Sequence, residues 1–294
     1  MQITSQLIPS TKGNLSAIIN HPNIGTNDKL AILCPGYLDT KDYKHLEELA
    51  GRLSEEGYVV VRFDPTGTWE SEGDTSDYTT TQYLEDIRQI INHMDTEHAI
   101  ATTAANASNE GSQKAVQKDE QGYSSILLVG HSRGGQVAIL YAARDPRITH
   151  VAAIMPSAGP MTGSRRDEWQ NAGIKISKRD MPDQLTDQAD FKTFSVPFSH
   201  VLDRDQYSAL RDAHNIHVPI LLIAGESDRI ISIEEVESIF ENANQPKDLR
   251  ILWGASHDYR RTEADIIRVN NAIMEWLRDP SLNGPDSKQN NVQK

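Results

Sequence analysis

Apolar residues along the chain follow two rhythms. Runs such as Tyr58-Val59-Val60-Val61 and Ile220-Leu221-Leu222-Ile223 are apolar without alternation, as strands covered on both faces of a parallel sheet require. Six strands are predicted, at 30–34, 58–63, 125–129, 150–155, 218–224 and 249–253. Residues 2–8 and 15–20, joined through Pro9-Ser10-Thr11-Lys12-Gly13, read as an opening hairpin. Between the strands the apolar spacing becomes three and four: Tyr43, Leu46, Leu49, Ala50 and Leu53; Tyr83, Leu84, Ile87, Ile90, Ile91 and Met94; Ile266, Val269, Ile273, Trp276 and Leu277. Each set is one face of an amphipathic helix. Strands alternating with helices predict an α/β domain, with a mostly parallel eight-stranded sheet and helices on both faces.

Three segments break the rhythm. Residues 157–217 are too long for one crossover helix and read as a small inserted cap, which leaves 1–156 and 218–278 as the core. Residues 101–121 and 279–294 carry no periodic apolar face, so the first reads as a long low-complexity surface loop and the second as a flexible tail. Of 294 residues, 42 are acidic and 29 basic, a formal net charge of −13 that disfavours nucleic acid and anionic membranes as partners. No apolar run reaches the ~18 residues of a membrane span, and no signal peptide is read at the N-terminus. The single cysteine, Cys34, cannot form an internal disulfide, which fits a cytoplasmic setting. It reads as a small buried apolar residue at a strand end.

Gly130-His131-Ser132-Arg133-Gly134-Gly135 stands between a buried strand and a helix. There a Gly-x-Ser-x-Gly run makes a sharp strained turn, with small flanking residues that let strand and helix approach and lift the serine hydroxyl clear. Ser132 is therefore the expected nucleophile. A hydroxyl needs a base, and the base needs an acid to fix its tautomer. Asp228 follows the strand 218–224 and His257 follows the strand 249–253, both just past the carboxyl ends. Glu226 is the alternative acid. Donors for the developing oxyanion are expected from the amides of Arg133 and of Tyr37, in the loop Pro35-Gly36-Tyr37. The Arg133 side chain would meet either a carboxylate on the substrate or a neighbouring acid. No His, Cys or carboxylate cluster has ligand spacing; His214-x-x-His217 is an isolated pair, so no cofactor or metal is expected.

From about Gly13 to Leu277 these motifs resemble the α/β-hydrolase superfamily, and within it the compact cinnamoyl and feruloyl esterases. That branch usually has His-Gly-Phe where this chain has Pro35-Gly36-Tyr37. In the run Phe63-Asp64 to Gly73 it carries a second glycine where this chain has Trp69. Gly225-x-x-Asp228 and Gly254-Ala255-x-His257 match without gaps. The resemblance implies an α/β-hydrolase fold and a serine esterase acting on a small-molecule ester, short-chain or hydroxycinnamoyl. Trp69, Trp169, Phe191, Phe194 and Phe198 either line its pocket or anchor the cap. The same triad serves thioesterases, aminopeptidases and carbon–carbon bond hydrolases, and a non-catalytic ligand-binding protein could retain the fold.

Overall fold

Strands that are apolar on both sides require a packed layer on each. The computed structural model, which describes residues 2–23, 27–108, 122–182 and 190–280, supplies both layers. The hairpin β1 (Gln2–Ser10) and β2 (Gly13–His21) leads into β3 (Lys29–Cys34), α1 (Lys44–Glu55), β4 (Tyr58–Phe63) and α2 (Thr80–Ser108). Then come β5 (Ser125–His131), α3 (Arg133–Ala142) and β6 (His150–Ile154). The segment that follows contains α4 (Ser164–Ala172), an antiparallel ribbon of β7 (Ile174–Asp180) and β8 (Phe191–Pro197), and the short helices α5 (Ser199–Arg204) and α6 (Ala209–Asp212). β9 (Ile220–Gly225), α7 (Ile233–Asn242), β10 (Lys247–Leu252) and α8 (Glu263–Leu277) return to the main sheet.

The main sheet has eight strands in the order β1-β2-β4-β3-β5-β6-β9-β10. β2 pairs antiparallel with β1 and β4, and the remaining pairs are parallel. Side chains alternate between two cores. Ile32, Leu128 and Leu222 pack with Ile87 of α2, Val137 of α3 and Val236 of α7; Leu33, Leu127 and Leu221 pack with Leu49 of α1 and Ile266 of α8. The strand order reverses between β3 and β5, and the loops leaving their carboxyl ends part there. That divergence is where an open α/β sheet has its binding crevice.

Helix α2 runs to Ser108, so the loop expected over 101–121 is corrected for its first eight residues; 109–121 lie outside the described residues. The stretch Ala99 to Ala107 holds five alanines, and alanine's helix propensity extends a helix without any apolar face to bury. Of the tail expected at 279–294, residues 281–294 likewise lie outside the described residues.

The segment between β6 and β9 is fastened over the loops that follow β3 and β4. Tyr43 Oη donates to the Asp180 carbonyl at 2.9 Å, and Arg179 and Lys192 donate to the carbonyls of Tyr37 and Trp69. Arg260 and Arg261 both grip the Asp180 carboxylate at 2.9–3.0 Å.

Where β5 passes into α3, two backbones touch through glycines. A Cβ on Gly134 would lie 2.1 Å from the Cys34 carbonyl oxygen and 2.5 Å from that of Pro35, and one on Gly130 2.2 Å from the Gly134 oxygen. Gly134→Ala should therefore push α3 off the sheet and lower the urea midpoint substantially, whereas Gly51→Ala, a mid-helix position with open space around it, should not lower it. Leu128→Ala, at the buried centre of β5, should cost about 2–5 kcal/mol in the same measurement.

Candidate functional site

Ser132 stands between β5 and α3 with φ +54°, a left-handed backbone that side chains other than glycine seldom adopt. Its conformation is held from both sides. Ser132 N–H donates to the Ile154 carbonyl at 2.8 Å, and its own carbonyl accepts from Gln136 N–H at 3.0 Å. Strain of this kind persists only where the surroundings over-determine it.

His257 Nε2 lies 2.9 Å from Ser132 Oγ, and His257 Nδ1 lies 2.7 Å from Asp228 Oδ2. The three side chains come from loops following β5, β9 and β10, on one edge of the sheet. The Asp228 carboxylate is fully enclosed, while His257 keeps 16% of its side chain exposed. Burial alone would raise the Asp228 pKa. The hydrogen bond from His257 and those from the amides of Ile231 and Ile230, at 2.9 and 2.7 Å, outweigh burial and hold it below the usual carboxylate range. An ionised Asp228 accepts a hydrogen bond from Nδ1–H, which leaves Nε2 as the acceptor facing the serine hydroxyl. Glu226 is exposed and spends its carboxylate on Ser227 Oγ and the Gly254 amide.

Arg133 N–H is the first amide of α3, one that a helix leaves without an intrahelical acceptor. The loop carrying Tyr37 is fixed by its neighbours. Tyr83 Oη donates to the Pro35 carbonyl at 2.9 Å, the Leu38 amide donates to Tyr78 Oη at 3.0 Å, and Arg179 grips the Tyr37 carbonyl. The Leu38 amide is thus engaged, as is that of Asp39, which donates to the Gly36 carbonyl at 3.2 Å. Cys34 is buried, and burial pushes its thiol pKa far up, so it is not a thiolate.

The aromatic residues divide. Trp69 meets Phe194 edge-on at 5.6 Å, and Tyr37 meets Trp169 edge-on at 6.4 Å. Phe191 is 57% exposed, and Phe198 packs partly buried under Arg166; among the described residues no ring contact joins either to the others. Trp69 occupies φ +45°, the backbone region that glycine favours, at the position where the resembled esterases have glycine. Its indole N–H is tied to the Leu38 carbonyl at 2.8 Å, which fixes the ring beside the Tyr37 loop.

Two groups beside the site escape a reading by motif. His131, from the nucleophile run itself, lies 4.8 Å from the His257 ring and 3.9 Å from Asp39 Oδ2. Burial depresses its pKa despite Asp39, and that of His45, edge-on at 6.4 Å, is pushed down to about 3. Both imidazoles are therefore neutral near pH 7 and add no positive charge under His257. His200 is stacked between Trp169 and Tyr78, and Arg133 Nη1 reaches its Nε2 at 2.7 Å. The Arg133 guanidinium thus meets a histidine instead of a neighbouring acid.

The carboxylates of Asp42, Asp64 and Glu70 converge within 4.8 Å of one another. Lys41 Nζ sits among them at 2.8, 3.2 and 2.7 Å, so an ammonium already takes the place a cation would fill. No helix among the described residues is long and apolar enough to cross a membrane.

A sequence profile described as the alpha/beta hydrolase family matches residues 31–267. The chain is 21% identical, over 88% of its length and 91% of the relative's, to a 31.7 kDa protein of the traX-finO intergenic region in Escherichia coli. Among solved structures it resembles Est1E from Butyrivibrio proteoclasticus with ferulic acid bound, at a TM-score of 0.67 and 18% identity, covering 92% of this chain and 97% of that one. It also resembles the esterase domain of a Rhodothermus marinus protein, at a TM-score of 0.64 and 20% identity, covering 95% and 98%. With the profile spanning most of its length, the chain belongs to the alpha/beta hydrolase family.

Proposed function

We propose that this hydrolase is a serine carboxylic-ester hydrolase working through an acyl-enzyme. The observation that carries the reading is the unbroken hydrogen-bonded chain from Asp228 through His257 to Ser132, with links of 2.7 and 2.9 Å. In the first step Ser132 Oγ attacks the ester carbonyl carbon as His257 Nε2 takes its proton. Asp228 stabilises the imidazolium that forms. The carbonyl oxygen becomes an oxyanion and rests on the amides of Tyr37 and Arg133. His257 then protonates the departing alcohol. Water enters, His257 takes its proton, and a second tetrahedral intermediate collapses to the free acid and Ser132.

Residues 157–217 act as the cap in this reading, and Trp69, Trp169 and Phe194, with Tyr37, line the wall nearest the site. Such a wall suits a short or aromatic acyl group. The ferulic acid bound by the structural relative Est1E is consistent with it. Phe191 and Phe198 are assigned to the cap's exterior and its footing.

Ser132→Ala should lower kcat on p-nitrophenyl butanoate by about 10⁴-fold or more while the thermal melt stays intact. Retention of most activity by the folded variant would refute the nucleophile. In a panel of p-nitrophenyl esters from acetate to palmitate, with methyl ferulate and methyl coumarate, kcat/KM should be highest for the short or hydroxycinnamoyl members. A maximum at palmitate would contradict the proposed pocket.

A further inference from the structure

Arg133, the residue after Ser132, carries a buried guanidinium held against Tyr78 and His200. It is 4% exposed and lies over the Tyr78 ring with Cζ 4.5 Å from the centroid. Only one of its edges is occupied. His200 Nδ1 donates to the Tyr78 carbonyl at 2.7 Å, so Nε2 is the ring's acceptor, and it takes a hydrogen bond from Arg133 Nη1. Burial and the Arg133 charge push the His200 pKa well down, keeping that ring neutral. Arg133 Nε and Nη2 are both buried and have no hydrogen-bond partner.

A second cation stands close by. Arg204, at the end of α5, donates from Nη2 to the Gly159 carbonyl at 3.0 Å, while its Nε is buried without a partner. Burial, with the nearby charge of Arg133, lowers its pKa to about 10. Among the described residues no carboxylate lies within ion-pair distance of either guanidinium. Glu235 and Asp205 act on Arg204 only at longer range, and Glu235 spends an oxygen on the Ala158 amide.

Two like charges enclosed together without a counter-ion are expensive to hold. Nε and Nη2 of a guanidinium form the parallel pair of donors that matches the two oxygens of a carboxylate. The free fork belongs to the residue directly after Ser132. Tyr37, whose amide faces the oxyanion in the reading above, meets His200 edge-on at 5.6 Å and so joins the two places. We propose that the Nε/Nη2 edge of Arg133, supported by Arg204, is a subsite for a carboxylate carried by the ester substrate. The preferred substrates are then monoanionic esters, with the acid group on either the acyl or the alcohol side. This rests on the ester-hydrolase reading of Ser132.

Binding can be measured without turnover. Calorimetric titration of Ser132→Ala with monoethyl adipate and with its neutral isostere ethyl hexanoate tests the acyl side. The pair 4-acetoxybutanoate and butyl acetate tests the alcohol side. In at least one pair the anionic ester should bind tenfold tighter or more, the margin should shrink as salt is raised, and it should vanish in Ser132→Ala/Arg133→Met. Arg204→Met in the same background should reduce it at least threefold. If the Arg133 variant does not fold, the Arg204 variant decides alone, and an unchanged margin there would refute the subsite. Equal affinities in both pairs, or a margin retained by folded Arg133→Met, would also refute it. Proton release by the wild type on the same esters keeps the two ideas apart. Discriminating binding without hydrolysis removes the esterase reading and keeps the subsite; hydrolysis without discrimination does the reverse.

Discussion

Everything at the site depends on how closely α3 can approach the end of β3. Gly134 lets its backbone rest against the carbonyls of Cys34 and Pro35, at separations no side chain would permit. That contact sets the angle at which the chain leaves β5, and the angle forces Ser132 into φ +54°. The amide after the strained serine then opens α3 free of an intrahelical acceptor. One steric fact therefore sets the turn that carries Ser132 and brings the start of α3 against the loop that carries Tyr37.

The electrostatics are local and oppose the overall charge. A chain of net charge −13 has neutral imidazoles beside His257 and, in Arg133 and Arg204, two buried guanidiniums with unpartnered donors. Desolvation decides the first: His131 and His45 are buried too deeply to hold a proton near pH 7. The enclosed carboxylate that His257 meets is Asp228, kept ionised by the hydrogen bond from His257 and by two amides of its own loop.

Much of this was legible in the sequence. Unalternating apolar runs gave the parallel strands, and Gly-x-Ser-x-Gly between strand and helix located the turn, because both signals are local. Ser132, Asp228 and His257 could be named since each follows a recognisable strand, and the three side chains lie within hydrogen-bond distance, with His257 between the other two. What stayed hidden depends on contacts between distant segments. His200 belongs to no motif, and its place is set by Trp169, Tyr78 and Arg133, which come from three other segments. Trp69 in a glycine-like conformation could not be read from composition, because the bond to Leu38 that holds it comes from another loop. Helix α2 overran its expected end because alanine propensity, unlike an apolar face, leaves no periodic trace.

In the proposed mechanism Ser132 is a nucleophile activated through His257. Exposure of the folded protein to a fluorophosphonate, followed by intact-mass and peptide mass spectrometry, tests it most directly. One stoichiometric adduct is expected, on the peptide containing Ser132, absent from Ser132→Ala and formed far more slowly by His257→Gln. A folded wild type that takes up no label, or takes it up on another residue, would contradict it.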